Sequence, residues 1–320
     1  MNKVIIWPTI FREIILSALD ALDCVQYEEV NSINQLELAL PGASGLVLTN
    51  STYTEAVSNC IFENRHSLRL LQLLTTGYEN VLAYGVPPEV CVANVGHAWS
   101  SAVSEHVMAL MLSMTKFIPT MVLNQKEHRW DKAIGSSMGT LEGATLVIVG
   151  FGGIGRDVAR RARAFGMHIV GVTRSGASDP QADEMFSAAY LSEALMRADV
   201  LLIAVPSSPE TRGMIGRSEL EALPQHARLI NVARGDIVDT AALESALCSG
   251  TIAGAALDVT DPEPLGKDSI LWDLPNVLIT PHIAGSCGPK GEERVVAVVI
   301  DNLKRYVSGS ELLNCIKPAV

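Results

Sequence analysis

Three polar side chains follow apolar runs late in this chain, and together their types could dock an organic acid and move a proton. Arg234 comes after Leu229-Ile230-Asn231-Val232-Ala233 and precedes Gly235. Glu263 stands in Asp261-Pro262-Glu263-Pro264, after Leu257-Asp258-Val259, and His282 follows Leu278-Ile279-Thr280-Pro281. An arginine can grip a carboxylate with two parallel N–H bonds, which orients the acid as well as binding it. A histidine exchanges a proton near neutral pH, and a carboxylate beside it favours its charged form. This set suits reduction of a 2-oxo acid, where the carboxylate is docked and the carbonyl oxygen must be protonated. Each residue alone has a plainer reading: a solvated arginine, a loop glutamate, a structural histidine. Their shared context weighs against it, because all three follow apolar strands on the side where doubly wound sheets place ligands.

A glycine turn supplies a partner for that chemistry. Residues 145–156 read T-L-V-I-V-G-F-G-G-I-G-R. Gly150 suits the tight turn after a strand, Gly152 a close approach of a pyrophosphate, and Gly155 the packing of a helix on the sheet. Gly153 and Ile154 then open the helix whose free N–H groups face phosphates. The spacing is weak evidence by itself, but a strand over 146–149 and a helix over 154–165 make it a dinucleotide site. An NAD site places an acid about twenty residues further on, for the ribose hydroxyls. Here that place reads Val172-Thr173-Arg174-Ser175-Gly176, with no carboxylate before Asp179. A 2′-phosphate would meet Arg174 and the hydroxyls of Thr173 and Ser175, so NADP(H) is the expected cofactor and NAD the alternative. The plain reading of Arg174 is a residue that stacks on adenine or points to solvent.

The elements that must position these residues read as α/β. Strand-like runs fall at 4–6, 45–49, 70–74 and 90–93, then after the glycine turn at 168–173, 200–205, 229–232, 253–259 and 277–280. Most are continuously apolar, as in parallel sheets buried on both faces. Helices are predicted over 102–115, 154–165, 240–249 and 292–307. The last has apolar positions at Val295, Val298, Val299, Leu303 and Tyr306 and a stop at Gly309. Because the glycine strand lies in mid-chain, the first hundred residues must build a separate domain. The expected division is residues 1–96 plus 286–320 as a substrate domain and 97–285 as a dinucleotide-binding domain. There is no fixed-period repeat.

Composition narrows the partners. The 320 residues carry a net charge of −11, which argues against nucleic acid, whose backbone needs a basic face. Six scattered cysteines without C-x-x-C fit reduced thiols in a cytoplasmic protein better than a disulfide frame or a metal site. The apolar run at 4–10 contains Pro8 and meets Arg12 and Glu13 at once, too short for a signal segment. The other apolar runs are of strand length or broken by charge, so no membrane span is expected.

From about Leu70 onward the chain resembles the D-isomer-specific 2-hydroxyacid dehydrogenases. The resemblance lies in Thr76-Gly77-Tyr78-Glu79-Asn80, Val103-Ser104-Glu105-His106, the glycine turn and Pro209-Glu210-Thr211-Arg212-Gly213. It continues in Asn231-Val232-Ala233-Arg234-Gly235, in Ala256-Leu257-Asp258-Val259 through Glu263-Pro264-Leu265, and in Thr280-Pro281-His282. It implies a Rossmann domain inserted into a smaller flavodoxin-like domain. It further implies a 2-oxo acid reductase of the glyoxylate or hydroxypyruvate kind, with Arg234 on the substrate carboxylate, His282 as proton donor and acceptor, and Glu263 as its partner. Thr76, Gly77 and Tyr78 would grip the substrate. Val205, Pro206, Val232 and Ala233 would line the cofactor, and Asp258 would shape its nicotinamide end. A homodimer through the helix near Ala102 is implied too, and His106 on that helix reads as structural. Val95-Gly96-His97-Ala98-Trp99, Glu79 and Thr260 depart from the family's usual residues and bear on substrate specificity. The competing expectation is a non-catalytic, cofactor-binding protein, because some transcriptional corepressors resemble this same family.

Overall fold

The computed structural model describes residues 2–64 and 66–316. The chain begins β1 (Asn2–Ile6), α1 (Arg12–Asp20), β2 (Val25–Glu29), α2 (Ile33–Ala39), β3 (Gly45–Leu48), α3 (Glu55–Glu63), β4 (Leu70–Leu73), α4 (Glu79–Tyr84) and β5 (Cys91–Ala93). Its middle stretch runs α5 (Ser100–Thr115), α6 (Ile118–Lys126), β6 (Thr145–Val149), α7 (Gly153–Ala164), β7 (His168–Thr173), β8 (Glu184–Ser187), α8 (Leu191–Leu195) and β9 (Val200–Ile203). Then come α9 (Arg217–Ala222), β10 (Arg228–Asn231), α10 (Thr240–Ser249), β11 (Gly254–Leu257) and β12 (Val277–Ile279). It closes with α11 (Gly288–Ser308) and β13 (Cys315–Ile316).

Two compact units result. One joins the residues up to Trp99 to those from Cys287 onward, and the other is Ser100–Ser286. The divisions fall three residues and one residue from the expected boundaries. Each unit is a parallel α/β sheet. In the first the order is β13-β5-β4-β3-β1-β2, the flavodoxin-like pattern with β13 added antiparallel to β5. In the second it is β12-β11-β10-β9-β6-β7-β8, with every pair parallel, a Rossmann order extended by one strand. Central strands such as β3, β4 and β9 are buried along their whole length, which requires cover on both faces. In the first unit one face packs Ile5, Leu36, Leu48, Val57 and Leu71, and the other packs Val4, Ile15, Leu19, Val295, Val299 and Leu303.

Among the strands at the sheet margins, the pattern reading found β12 at 277–280 but missed β2, β8 and β13. β2 reads V-Q-Y-E-E and alternates buried with solvated positions; β8 reads E-M-F-S with no fully buried residue. A terminal strand needs only one covered face and tolerates charge, so it lacks the continuous apolar run that marks its neighbours. Helix α11 starts four residues before the expected position because Pro289 sits in its first turn, where the missing N–H costs nothing. No single helix among the described residues is long and apolar enough to cross a membrane.

Asn302 shows how α11 is fastened to its sheet. It is fully buried, donates to Gln72 Oε1 (2.7 Å) and to the Leu313 carbonyl (3.0 Å), and accepts from Leu313 N–H (2.7 Å). Asn302→Ala leaves three polar groups without this partner, one of them the buried Gln72 amide, so the melting transition of this unit should fall by roughly 5 °C or more. An unchanged calorimetric profile would contradict this account.

Candidate functional site

The order of the second sheet reverses between β6 and β9, and a doubly wound sheet holds its ligand at such a switch point. The glycine turn lies there. Gly150 has φ +100°, and a Cβ on it would strike the Ala204 carbonyl at the end of β9, so the two strand ends approach as closely as backbone allows. A Cβ on Gly155 would strike the Gly150 carbonyl, whereas one on Gly152 would meet no protein atom within 4 Å. The protein's own packing therefore does not demand a glycine at 152, which fits a position kept clear for close approach of a ligand. The turn feeds α7, whose first N–H groups, from Gly153, Ile154 and Gly155, precede the first intrahelical bond, Arg156 N–H to Gly152. These features fit a dinucleotide pyrophosphate. Val205 and Pro206 follow β9, while Val232 and Ala233, both buried, follow β10.

At the end of β7, Thr173 Oγ1 accepts from Gly176 N–H (3.0 Å) and Ser175 Oγ from Ala177 N–H (3.3 Å), which leaves both hydroxyl protons to donate. Arg174 is exposed. Asp179, the first acid after this strand, is committed elsewhere: its Oδ2 lies 2.7 Å from Arg156 Nε. Burial would raise its carboxyl, but the bonds from Arg156 and Gln181 N–H outweigh burial and hold it below the usual carboxylate range. The sequence reading missed Glu210, in the loop after β9. Ser208 Oγ (2.7 Å), a backbone N–H and the positive charge of Arg174 hold its carboxyl low, so an anion is in electrostatic reach of Arg174. The signal was available, since Glu210 lies in one of the motifs that carry the resemblance.

Arg234, Glu263 and His282 follow β10, β11 and β12, three adjacent strands. His282 Nδ1 and Glu263 Oε1 are 2.5 Å apart, and both side chains are about half exposed. Arg234 is fixed through its backbone, since the buried Asn231 donates to the Arg234 carbonyl (2.8 Å) and accepts from Ala233 N–H (3.0 Å). A Cβ on Gly235 would collide with the Thr260 carbonyl, so this loop presses directly on the one that leads to Glu263. Asp258, only 2% exposed, has its carboxylate turned into the fold. It accepts from Thr280 Oγ1 (2.6 Å), Ile283 N–H (3.0 Å) and Ala284 N–H (2.9 Å), while its carbonyl accepts from His282 N–H (2.8 Å). This duty toward the His282 loop was not foreseen. A buried acid at the end of an apolar strand was its only signal. Such an arrangement can anchor an anion and pass a proton through an imidazole whose far side is held by a carboxylate.

In the first unit, the loop after β4 is braced from two neighbouring strand ends. Asn94 Nδ2 donates to the Thr76 carbonyl (2.7 Å), Thr76 Oγ1 to the Gly96 carbonyl (2.8 Å), and Thr75 Oγ1 to the Gly77 carbonyl (3.0 Å). Asn50 bonds Glu79 Oε2 (3.2 Å) and Asn80 N–H (3.1 Å). Tyr78 immediately precedes α4.

Residues 108–284 match the family model described as the D-isomer specific 2-hydroxyacid dehydrogenase, NAD binding domain. Glyoxylate/hydroxypyruvate reductase B of Klebsiella pneumoniae is 33% identical over 326 aligned positions, covering 99% of both chains. A D-isomer specific 2-hydroxyacid dehydrogenase family protein from Aeromonas salmonicida superimposes with a TM-score of 0.87 at 26% identity, over 99% of each chain. An NADPH-dependent glyoxylate/hydroxypyruvate reductase from Sinorhizobium meliloti, solved with NADP and sulfate, gives 0.85 at 26% identity over the same share. The chain belongs to the D-isomer-specific 2-hydroxyacid dehydrogenase family. It is an NAD(P)-dependent oxidoreductase of that class.

The contact of Gly235 with the Thr260 carbonyl can be tested directly. Gly235→Ala forces backbone against backbone and should destabilise the protein by about 1–3 kcal/mol, seen as a lower guanidinium midpoint. An unshifted midpoint would show that the two loops can separate freely.

Proposed function

We propose that this protein is an NADPH-dependent reductase of small 2-oxo acids, with glyoxylate and hydroxypyruvate as the first substrates to test. The observation that carries the reading is the 2.5 Å contact of His282 Nδ1 with Glu263 Oε1, on loops after adjacent parallel strands and beside the strand that leads to Arg234. The names of the Klebsiella and Sinorhizobium relatives support the substrates, and NADP in the latter structure supports the cofactor.

The chemistry follows from these groups. Arg234 docks the substrate carboxylate through its planar fork, and Thr76, Gly77 and Tyr78 are the substrate-binding residues proposed for the first unit. A nicotinamide held by these residues would supply a hydride to C2. His282 delivers the proton on Nε2 to the carbonyl oxygen, while Nδ1–H remains bonded to Glu263, which keeps the ring aimed through the transfer. In the reverse direction Nε2 takes the proton from the hydroxyl of the D-2-hydroxy acid. Gly150, Gly152, Gly153, Ile154 and Gly155 cradle the pyrophosphate. Thr173, Arg174 and Ser175 would hold a 2′-phosphate. Val205, Pro206, Val232 and Ala233 line the site, and Asp258 supports its nicotinamide end. The unit ending at Trp99 and resuming at Cys287 is then the substrate domain, and Ser100–Ser286 the dinucleotide domain. A cytoplasmic homodimer using the α5 region completes the proposal, checked by sedimentation at micromolar concentration. A non-catalytic corepressor is not favoured, because the relatives reported above that carry a function name are reductases.

NADPH oxidation across a panel of 2-oxo acids tests the activity. His282→Ala should lower kcat by about two to four orders of magnitude with NADPH binding intact, and Arg234→Lys should cut kcat/KM steeply despite its retained charge. Near-normal turnover of either variant removes its assignment.

For the cofactor, Arg174→Ala should weaken NADPH by about 1.5–3 kcal/mol while barely changing NADH. A higher kcat/KM with NADH than with NADPH in the unmodified protein would overturn this preference.

A further inference from the structure

His106 takes no part in the chemistry above, yet it reaches the loop that carries His282. From the second turn of α5, its Nε2 lies 3.0 Å from Thr280 Oγ1 and 3.6 Å from Asp258 Oδ1. The proton on its ring follows from the partners. Thr280 Oγ1 has one hydrogen, and that hydrogen goes to Asp258 at 2.6 Å. The hydroxyl therefore offers His106 only a lone pair, so Nε2 must be the donor. A directed chain results, from His106 Nε2–H to the Thr280 hydroxyl and on to Asp258, and bonds in such a chain strengthen one another in a low-dielectric setting.

The end of this chain is the group that sets the backbone around His282. Asp258 bonds Ile283 N–H and Ala284 N–H with its carboxylate and His282 N–H with its carbonyl. His282 itself has φ +52°, the left-handed region that a side chain occupies only when its surroundings hold it there. If the Asp258 carboxylate rotated away, both N–H bonds beyond His282 would be lost together.

We infer that His106 is a positioning residue for the reaction: through Thr280 it fixes the Asp258 carboxylate that holds His282 in its left-handed backbone and so aims the imidazole. The inference rests on the reading of His282 as the proton donor. A histidine that merely docked α5 would affect stability and cofactor affinity, not the chemical step.

Four variants separate these roles. His106→Gln keeps an N–H donor where Nε2 stands and Thr280→Ser keeps the hydroxyl, whereas His106→Leu and Thr280→Val remove them at similar volume. With saturating NADPH, His106→Leu and Thr280→Val should lower kcat on the order of 10- to 100-fold, since small misplacements of a reacting group have effects of this size. The Kd for NADPH should stay within about twofold, and His106→Gln and Thr280→Ser should recover most of the rate. In a His282→Ala background the same substitutions should cost less than about twofold more, because the residue they position is gone. The inference is overturned by undiminished kcat in His106→Leu, by equal losses in the Leu and Gln variants, by losses that add fully to His282→Ala, or by a loss confined to NADPH affinity. Should His106→Leu fail to fold, the Thr280 pair carries the same test. A near-normal His282→Ala enzyme would overturn the proton-donor reading itself, whereas a crippled one beside an unimpaired His106→Leu enzyme overturns only the positioning.

Discussion

The catalytic arrangement proposed for the site depends on β10, β11 and β12 running parallel, side by side, in one register. Asn231 pairs with Leu257, and Leu257 with Ile279, so these three strands end at one level. Arg234 and His282 each lie three residues past that level, on strands separated by a single neighbour. Two strand spacings amount to about 10 Å, a gap suited to an acid of two or three carbons held at one end and protonated near the other. Glu263 comes from the strand between and meets the far side of the imidazole. Had the order of these strands differed, the same three residues would stand too far apart to share a substrate.

The strands themselves are nearly featureless, and the few polar residues at their ends do the shaping. Asn231 ties the Arg234 loop back on itself, Asp258 gathers the backbone after β12, and Thr280 bonds Asp258. A polar group buried this deeply costs free energy unless every partner is in place. The cost makes the arrangement all-or-none, which suits loops that must hold one geometry. The first unit uses the same device, with Asn50 and Asn94 bracing the loop through Thr76.

Charge poses a separate difficulty, because a protein of net charge −11 has to accept an anionic cofactor and an anionic substrate. The answer is local. Uncharged N–H groups at the start of α7 can meet phosphate without adding a mobile countercharge, Arg156 neutralises Asp179, the first acid after β7, and Arg174 stands in an environment shared with Glu210. Long-range attraction contributes little here, since screening confines it to about 8 Å at physiological salt.

Much of this was legible in the residues in order. Continuous apolar runs mark strands covered on both faces, glycines at 150, 152 and 155 mark a turn into a helix, and Arg234, Glu263 and His282 stand out as polar residues after such runs. These signals are local, because the period of an apolar run and the φ preference of glycine depend only on near neighbours. The edge strands β2 and β8 were hidden for the converse reason: a strand covered on one face has no distinctive run. The tertiary structure alone decided which strand ends adjoin, that Asp258 turns inward to hold the His282 loop, and that Glu210 comes within the field of Arg174. Each of these relates residues far apart in the chain and is set by how the strands and loops assemble, which leaves no periodic trace in the sequence.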